Sequence, residues 1–215
     1  VDYNILTVVT QKTAGHAAEI YNYYKEQGWK YQQYIACLDP LGEDRGKTPY
    51  ALNPEQYGMF LTELFNLWYE DWKKGEQPYI RQFENYIGIL LGYQPESCEQ
   101  RGSCGTQNVV EADGSVYPCD FYALDEYKLG NFNCNRLEEI DKKRKEIAFV
   151  EQSQIVAENC KNCKFYKICK GGCRRNKDFN AMNGEYENYF CKSYEMFFDA
   201  CLPKMKEMAE TLKRR

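Results

Sequence analysis

The chain has 215 residues with 28 basic and 32 acidic side chains, a formal net charge of −4, and enough length for a sizeable core in one or two domains. That balance gives no electrostatic footprint for nucleic acid or an anionic membrane surface, and no apolar run approaches the roughly 20 residues a spanning helix needs. No secretory signal is visible, yet there are eleven cysteines; an odd, high count in such a chain points to metal before disulfides and to a cytoplasmic setting.

The sequence opens on Val1 rather than Met, inside the apolar run VDYNILTVVT, which reads as an internal start within a longer protein. Val1–Thr10 is predicted as a buried parallel strand. A helix follows over about Thr13–Gln27, with Ala17, Ile20, Tyr21 and Tyr24 on one face and Gly28 placed to end it. Lys30–Ala36 reads as a second strand, so the first elements form a βα unit of a parallel α/β sheet or barrel. After a loop over Cys37–Leu52, Asn53-Pro54 supplies an N-cap and an N1 proline. The next helix carries Tyr57, Phe60, Leu61, Leu64 and Trp68 as its stripe and stops at Gly75. A further helix is predicted over Tyr79–Leu91.

From Pro95 the texture changes: elements shorten, Gly and Asn punctuate them, and nine of the eleven cysteines fall within 93–192. Val109–Cys119 carries Asp113-Gly114 between two β-favouring runs, a hairpin signal. Arg136–Phe149 reads as a charged helix. The last segment, Ser193–Arg215, reads as a helix with Tyr194, Phe197, Phe198 and Cys201 on one face, which Pro203 should kink or break.

The densest signal is CKNCKFYKICKGGC, in which Cys160, Cys163, Cys169 and Cys173 are spaced C-x2-C-x5-C-x3-C. Cys191 follows it, and Cys98, Cys104 and Cys119 precede it, giving eight cysteines, enough for two four-cysteine sites. Short spacings let a tight loop aim its sulfurs at one centre with amide N–H groups turned toward them, and Gly171-Gly172 lets the backbone pass close. Zinc ribbons usually show two C-x2-C pairs, and here there is one. Spacing favours iron–sulfur, with zinc next and disulfides a distant third. Lys161, Lys164, Lys167, Lys170, Arg174 and Arg175 either balance an anionic centre or form an ordinary solvated face. His16, the only histidine, reads as a surface residue, and Cys37, Cys134 and Cys201 match no cluster position.

CKNCKFYKICKGGC resembles the SPASM domain, the C-terminal extension of a group of radical S-adenosylmethionine (SAM) enzymes that modify peptides or proteins. With Cys98, Cys104, the CDFY segment at Cys119–Tyr122, the LGN of Leu129–Asn131 and Cys191, the pattern resembles the anaerobic sulfatase-maturating enzymes across essentially the whole chain. The resemblance implies an α/β fold: residues 1–92 as the last βαβα part of a partial (β/α)6 radical-SAM barrel, 93–192 as a small α+β SPASM domain, and 193–215 as a C-terminal helix. It implies two auxiliary 4Fe–4S clusters, one held by Cys98, Cys104, Cys119 and Cys173 and the other by Cys160, Cys163, Cys169 and Cys191. In that family a 5′-deoxyadenosyl radical takes hydrogen from Cβ of a Cys or Ser in a sulfatase, and loss of a proton and a second electron leads to Cα-formylglycine. Asp120 is implied as the base, and the sequence adds an expectation that Phe121 and the adjoining centre partly desolvate it. Leu38, at the C-terminal end of the second strand, is implied as a contact to SAM.

The C-x3-C-x2-C motif that holds the SAM-cleaving third 4Fe–4S cluster is absent from these residues, so that cluster and most of the SAM site are expected upstream of Val1. The implied partners are a sulfatase polypeptide and an electron carrier such as ferredoxin or flavodoxin, with the enzyme a monomer. Two alternatives stand: another SPASM maturase that makes a thioether or a cofactor precursor, and a non-enzymatic zinc module.

Overall fold

The computed structural model describes residues 2–214. Strand β1 (Asn4–Val9) leads into α1 (Ala17–Glu26), entered through a short 3-10 turn, and then into β2 (Tyr31–Ala36). Helix α2 (Pro54–Lys74) starts as its cap predicts. The Asn53 side chain accepts from the Gln56 N–H at 2.9 Å, and Gly75 closes the helix in the left-handed region. Strand β3 (Tyr79–Ile80) precedes α3 (Arg81–Leu91). The three strands form one parallel sheet in the order β1-β2-β3.

The α/β class and the parallel pairing agree with the sequence reading, and two corrections follow. Residues 79–80 are strand rather than helix, because they extend the pairing from Tyr31 and Gln32 of β2. The first strand is not buried on both faces: Leu6 is 59% exposed and Val8 50%. Its helices cover one face, where Val9, Tyr34 and Gln32 are buried, and leave Leu6 and Val8 uncovered on the other. The continuous apolar run therefore signals a sheet with an unclaimed face. Three strands, one of them two residues long, do not define a barrel.

Beyond α3 come α4 (Cys98–Arg101), the hairpin β4 (Val109–Val110) and β5 (Ser115–Tyr117), and β6 (Gly130–Asn131) paired antiparallel to β5. The hairpin turns at Asp113-Gly114 as predicted, with Asp113 Oδ1 accepting from the Ser115 N–H at 2.9 Å. Helix α5 (Leu137–Glu146) ends earlier than its charge pattern suggests, because Ala148 takes a left-handed conformation (φ 47) and starts a separate helix, α6 (Phe149–Ser153). Two four-residue helices follow, α7 (Glu158–Lys161) and α8 (Tyr166–Cys169), and then a hairpin of β7 (Lys177–Asn180) and β8 (Glu185–Asn188).

The chain ends in α9 (Cys191–Lys213), which carries Pro203 without a break. Pro203 lies on the exposed face, so the backbone group it leaves unpaired meets water. The opposite face keeps packing: Tyr194, Phe197, Phe198, Cys201, Met205 and Met208 are buried among Phe60, Leu64, Phe65 and Phe83. Phe197 is 5.8 Å from Phe65 and 5.9 Å from Phe83, ring centre to ring centre. The same core takes in Phe165, Ile168 and Phe190 from the cysteine-rich region. A second cluster there is small: Val116, Leu129 and Ile140. No helix among the described residues is long and apolar enough to cross a membrane.

Candidate metal centres

All eleven cysteines are free thiols. Cys98 opens α4, which Gly102 ends at φ 72. A Cβ on Gly102 would collide with the Lys170 carbonyl, so this glycine lets the loop bearing Cys98 and Cys104 lie against the chain after Cys169. The Cys104 N–H donates to Ser153 Oγ at 2.8 Å. Cys119 leaves β5 and enters a 3-10 turn, Asp120–Tyr122, whose Tyr122 ring packs on Phe149 at 5.0 Å and Tyr127 at 4.8 Å. Arg174, next to Cys173, lies 4.5 Å over the Phe149 ring and donates to Phe149 O at 2.7 Å and Gln152 Oε1 at 2.6 Å. Helix α6 is thus the hub on which the segments bearing Cys104, Cys119 and Cys173 meet.

These thiols sense one another. Burial is the first cause that pushes Cys104 up, and Cys98 adds to it, while the Ser153 hydroxyl, Arg174 and Lys177 pull it down. Burial, then the hydrogen bond to Asp120, push Cys119 up to about 12, with Cys104 contributing. Burial also pushes Cys173 well up, with Glu99, Cys98 and Cys104 contributing and the Arg175 N–H, 3.4 Å from its sulfur, opposing. Cys98, Cys104, Cys119 and Cys173 are therefore one neighbourhood.

The other neighbourhood stands on the main core. Cys160 lies in α7, Cys163 follows it, and the Phe165 N–H donates to Cys163 Sγ at 3.4 Å. Cys163 and Cys169 both pack against the large core. After Cys169 three successive residues, Lys170, Gly171 and Gly172, have positive φ of 56, 83 and 72, which swings the chain from Cys169 in this neighbourhood to Cys173 in the other. Asn188 Nδ2 holds the bend by donating to Gly171 O at 3.0 Å, and a Cβ on Gly172 would collide with that amide. Cys191 is the first residue of α9, where free N–H groups and the helix dipole favour negative charge. Burial raises Cys160, with Lys177 opposing and Cys163 adding. Burial pushes Cys169 up to about 12, with Cys191 and Cys160 adding. Desolvation, then Glu195, then Cys160 and Cys163 push Cys191 up to about 11.

The cysteine region also grips the C-terminal end of the sheet. Asp39 is buried and accepts from the Gly46 N–H at 2.7 Å and from the Thr48 N–H and hydroxyl at 2.8 Å each, which closes the loop after β2. Arg175 donates to the Asp39 carbonyl, and Arg45 pairs with Asp178 at 2.6 and 2.8 Å. Leu38 lies just before this contact, half-buried against the main core. Cys37 is beside Arg175, Cys134 is exposed and Cys201 is buried in α9.

The reading of Asp120 as partly desolvated is corrected. The side chain is exposed and Phe121 is 41% exposed. The 3-10 turn sends Tyr122 inward instead, so the two residues before it face out. The carboxylate is still at the cysteines, accepting from Cys119 Sγ at 3.2 Å.

The donor set suits soft metal: eight thiols, amide N–H groups on sulfur at Cys163 and Cys173, and cations at Arg174 and Lys177. Among the described residues no three Cys, His, Asp or Glu side chains converge as ligands of a single ion. Sequence reasoning missed Ser153, Phe149 and Asn188. Ser153 meets Cys104 from 49 residues away, and no local pattern announces such a contact.

A family model described as an iron–sulfur cluster-binding domain, SPASM, matches residues 98–164. The chain is 45% identical over 213 residues to a cysteine-type anaerobic sulfatase-maturating enzyme of Clostridium perfringens, covering 99% of this chain and 58% of that protein. To a serine-type anaerobic sulfatase-maturating enzyme of Bacteroides thetaiotaomicron it is 30% identical, covering 99% of this chain and 55% of the relative. A solved structure of native anSMEcpe with bound AdoMet and Kp18Cys peptide matches with a TM-score of 0.90 and 44% identity, over 98% of this chain and 58% of that one. The chain spans about 58% of the length of the C. perfringens protein, and it is a homologue of the anaerobic sulfatase-maturating enzymes over their C-terminal portion, SPASM domain included.

Proposed function

We propose that this chain is the cluster-bearing part of an enzyme that oxidises a cysteine of a sulfatase to Cα-formylglycine by radical SAM chemistry. One observation carries the reading: the chain superposes over 98% of its length, with a TM-score of 0.90, on a homologue solved with AdoMet and a peptide bound. Cysteine rather than serine as the target is favoured by 45% identity to a cysteine-type enzyme against 30% to a serine-type one.

In this reading residues 1–92 are the last strands and helices of a partial radical-SAM barrel, 93–192 the SPASM domain and 193–215 the closing helix. Cys98, Cys104, Cys119 and Cys173 hold one 4Fe–4S cluster; Cys160, Cys163, Cys169 and Cys191 hold the other. Each cluster, when bound, would supply a one-electron acceptor. Asp120 takes the proton from the target side chain. Its exposure leaves the carboxylate open to an incoming peptide, and its place after Cys119 keeps it against the first cysteine set. Leu38 contacts SAM at the sheet's C-terminal end, a position supported by the docking of Arg175 on the adjacent Asp39 carbonyl. The partners are a sulfatase polypeptide and a low-potential electron carrier, in the cytoplasm, with the enzyme monomeric.

The test uses the full-length, anaerobically reconstituted enzyme and a peptide carrying the target cysteine. Mass spectrometry of the peptide and chromatography of 5′-deoxyadenosine give separate readouts. Asp120→Asn should keep its iron and still cleave SAM, yet yield little formylglycine. Formylglycine at the unaltered rate would remove Asp120 from the mechanism, and a thioether product from the unaltered enzyme would move the chain to another class of maturase.

A further inference from the structure

Lys177 begins β7, pairing with Asn188 of β8, immediately after the short turn that leaves Cys173. Its ammonium is not loose in solvent. Nζ donates to the Ser153 carbonyl at 3.1 Å and to the Ile155 carbonyl at 3.3 Å. Ser153 is the residue whose hydroxyl receives the Cys104 N–H, so one anchor of the lysine belongs to the first cysteine neighbourhood. Gly171 stands between Cys169 of the second neighbourhood and Cys173 of the first, and a Cβ built on it would lie 4.0 Å from Lys177 Nζ. The cation is therefore pinned at the crossing where the chain passes from one set of thiols to the other.

We infer that Lys177 is a cation shared by the two cysteine-held centres, fixed between them by the Ser153 and Ile155 carbonyls, and that it raises the reduction potential of both. Charge and hydrogen bonding around the sulfurs are what set such potentials. A positive charge favours the reduced, more negative cluster, and between two clusters it favours both. Lys177 is thus a positioning residue, acting through the two centres from its anchors on the Ser153 and Ile155 carbonyls. The inference rests on the assignment of the eight cysteines to two clusters.

The test is an EPR-monitored redox titration of the anaerobically reconstituted full-length protein, with iron content measured in parallel. In Lys177→Gln and Lys177→Met the transitions of both auxiliary clusters should move to more negative potential. Lys177→Arg, which keeps the charge, should leave both near the unaltered values. A shift of one cluster alone, or of neither, overturns the inference. If the neutral variants fail to load iron, the comparison passes to iron content. Loading in Lys177→Arg alone shows that the charge is what the centres need, whereas loss in all three variants makes the lysine a structural strut and overturns the inference. Failure of the unaltered protein to bind two clusters is a different result, and it falls on the cluster assignment itself.

Discussion

The sheet-and-helix region and the cysteine-rich region are held together by different means. In the first, long helices α2, α3 and α9 bury an aromatic core in which Phe60, Phe65, Phe83, Phe197 and Phe198 are almost wholly removed from water. In the second, apart from the ten-residue α5, helices of four or five residues and strands of two to four residues surround a core of Val116, Leu129 and Ile140. Elements that short cannot stabilise themselves by burial. On the proposed cluster assignment, bonds from metal to thiolate would take the place of the missing apolar area, because free energy of metal binding is free energy of folding. The two cysteine sets are not equal in this respect. The second shares Phe165, Ile168 and Phe190 with the large core, while the first hangs on α6 and the small one.

The largest expected effect comes from removing metal. Chelation under reducing conditions should abolish hydrogen-exchange protection around residues 98–135, reduce it less around 158–170, and leave α2 and α9 protected. Equal loss everywhere would break the contrast. Next, Cys173→Ala should lower the iron content by about four per chain if each set carries one four-iron cluster, and the remaining cluster should keep the spectrum of the second site. Phe197→Ala should act on the other region, costing about 3–5 kcal/mol in thermal or denaturant unfolding with iron content unchanged in the folded fraction.

A smaller effect is expected at Asp71, buried between α1 and α2. Burial raises its carboxyl, but the hydrogen bonds from Lys25 and from Tyr21, the latter at 2.7 Å, outweigh burial and hold it below the ordinary range. A depressed folded pKa stabilises above the unfolded value of about 3.9 and loses that contribution as pH falls through the folded value. Asp71→Asn should therefore cost roughly 1–3 kcal/mol at neutral pH and flatten the acid limb of the stability profile. The smallest effect is at the start of α2, where Asn53→Ala removes a cap worth about 1 kcal/mol.

The same division explains what the sequence made legible. Helix α2 is readable from Asn53-Pro54, its stripe and Gly75, because each signal is local and the packing agrees with it. The cysteine spacing and Gly171-Gly172 likewise announce a tight loop, and the loop is there. Strand β3 was hidden inside a helical pattern, since only its pairing with Tyr31 and Gln32 makes it a strand. The burial of β1 is not legible in the sequence, because a run such as ILTVV does not say which of its faces is covered. Pro203 misleads for a related reason: an exposed proline on a helix packed along its other face loses one hydrogen bond to water, and the aromatic core outweighs that loss. The exposure of Asp120 depends on which way a three-residue turn sends Tyr122, and that is settled by Phe149 and Arg174, both distant in sequence.

The most direct test of two four-cysteine iron–sulfur centres is combined metal analysis and Mössbauer spectroscopy of this chain prepared without oxygen. About eight iron per chain, all in 4Fe–4S form, is the predicted result. One or two zinc ions per chain with no visible absorption would contradict it, and with it the role proposed for these eight cysteines.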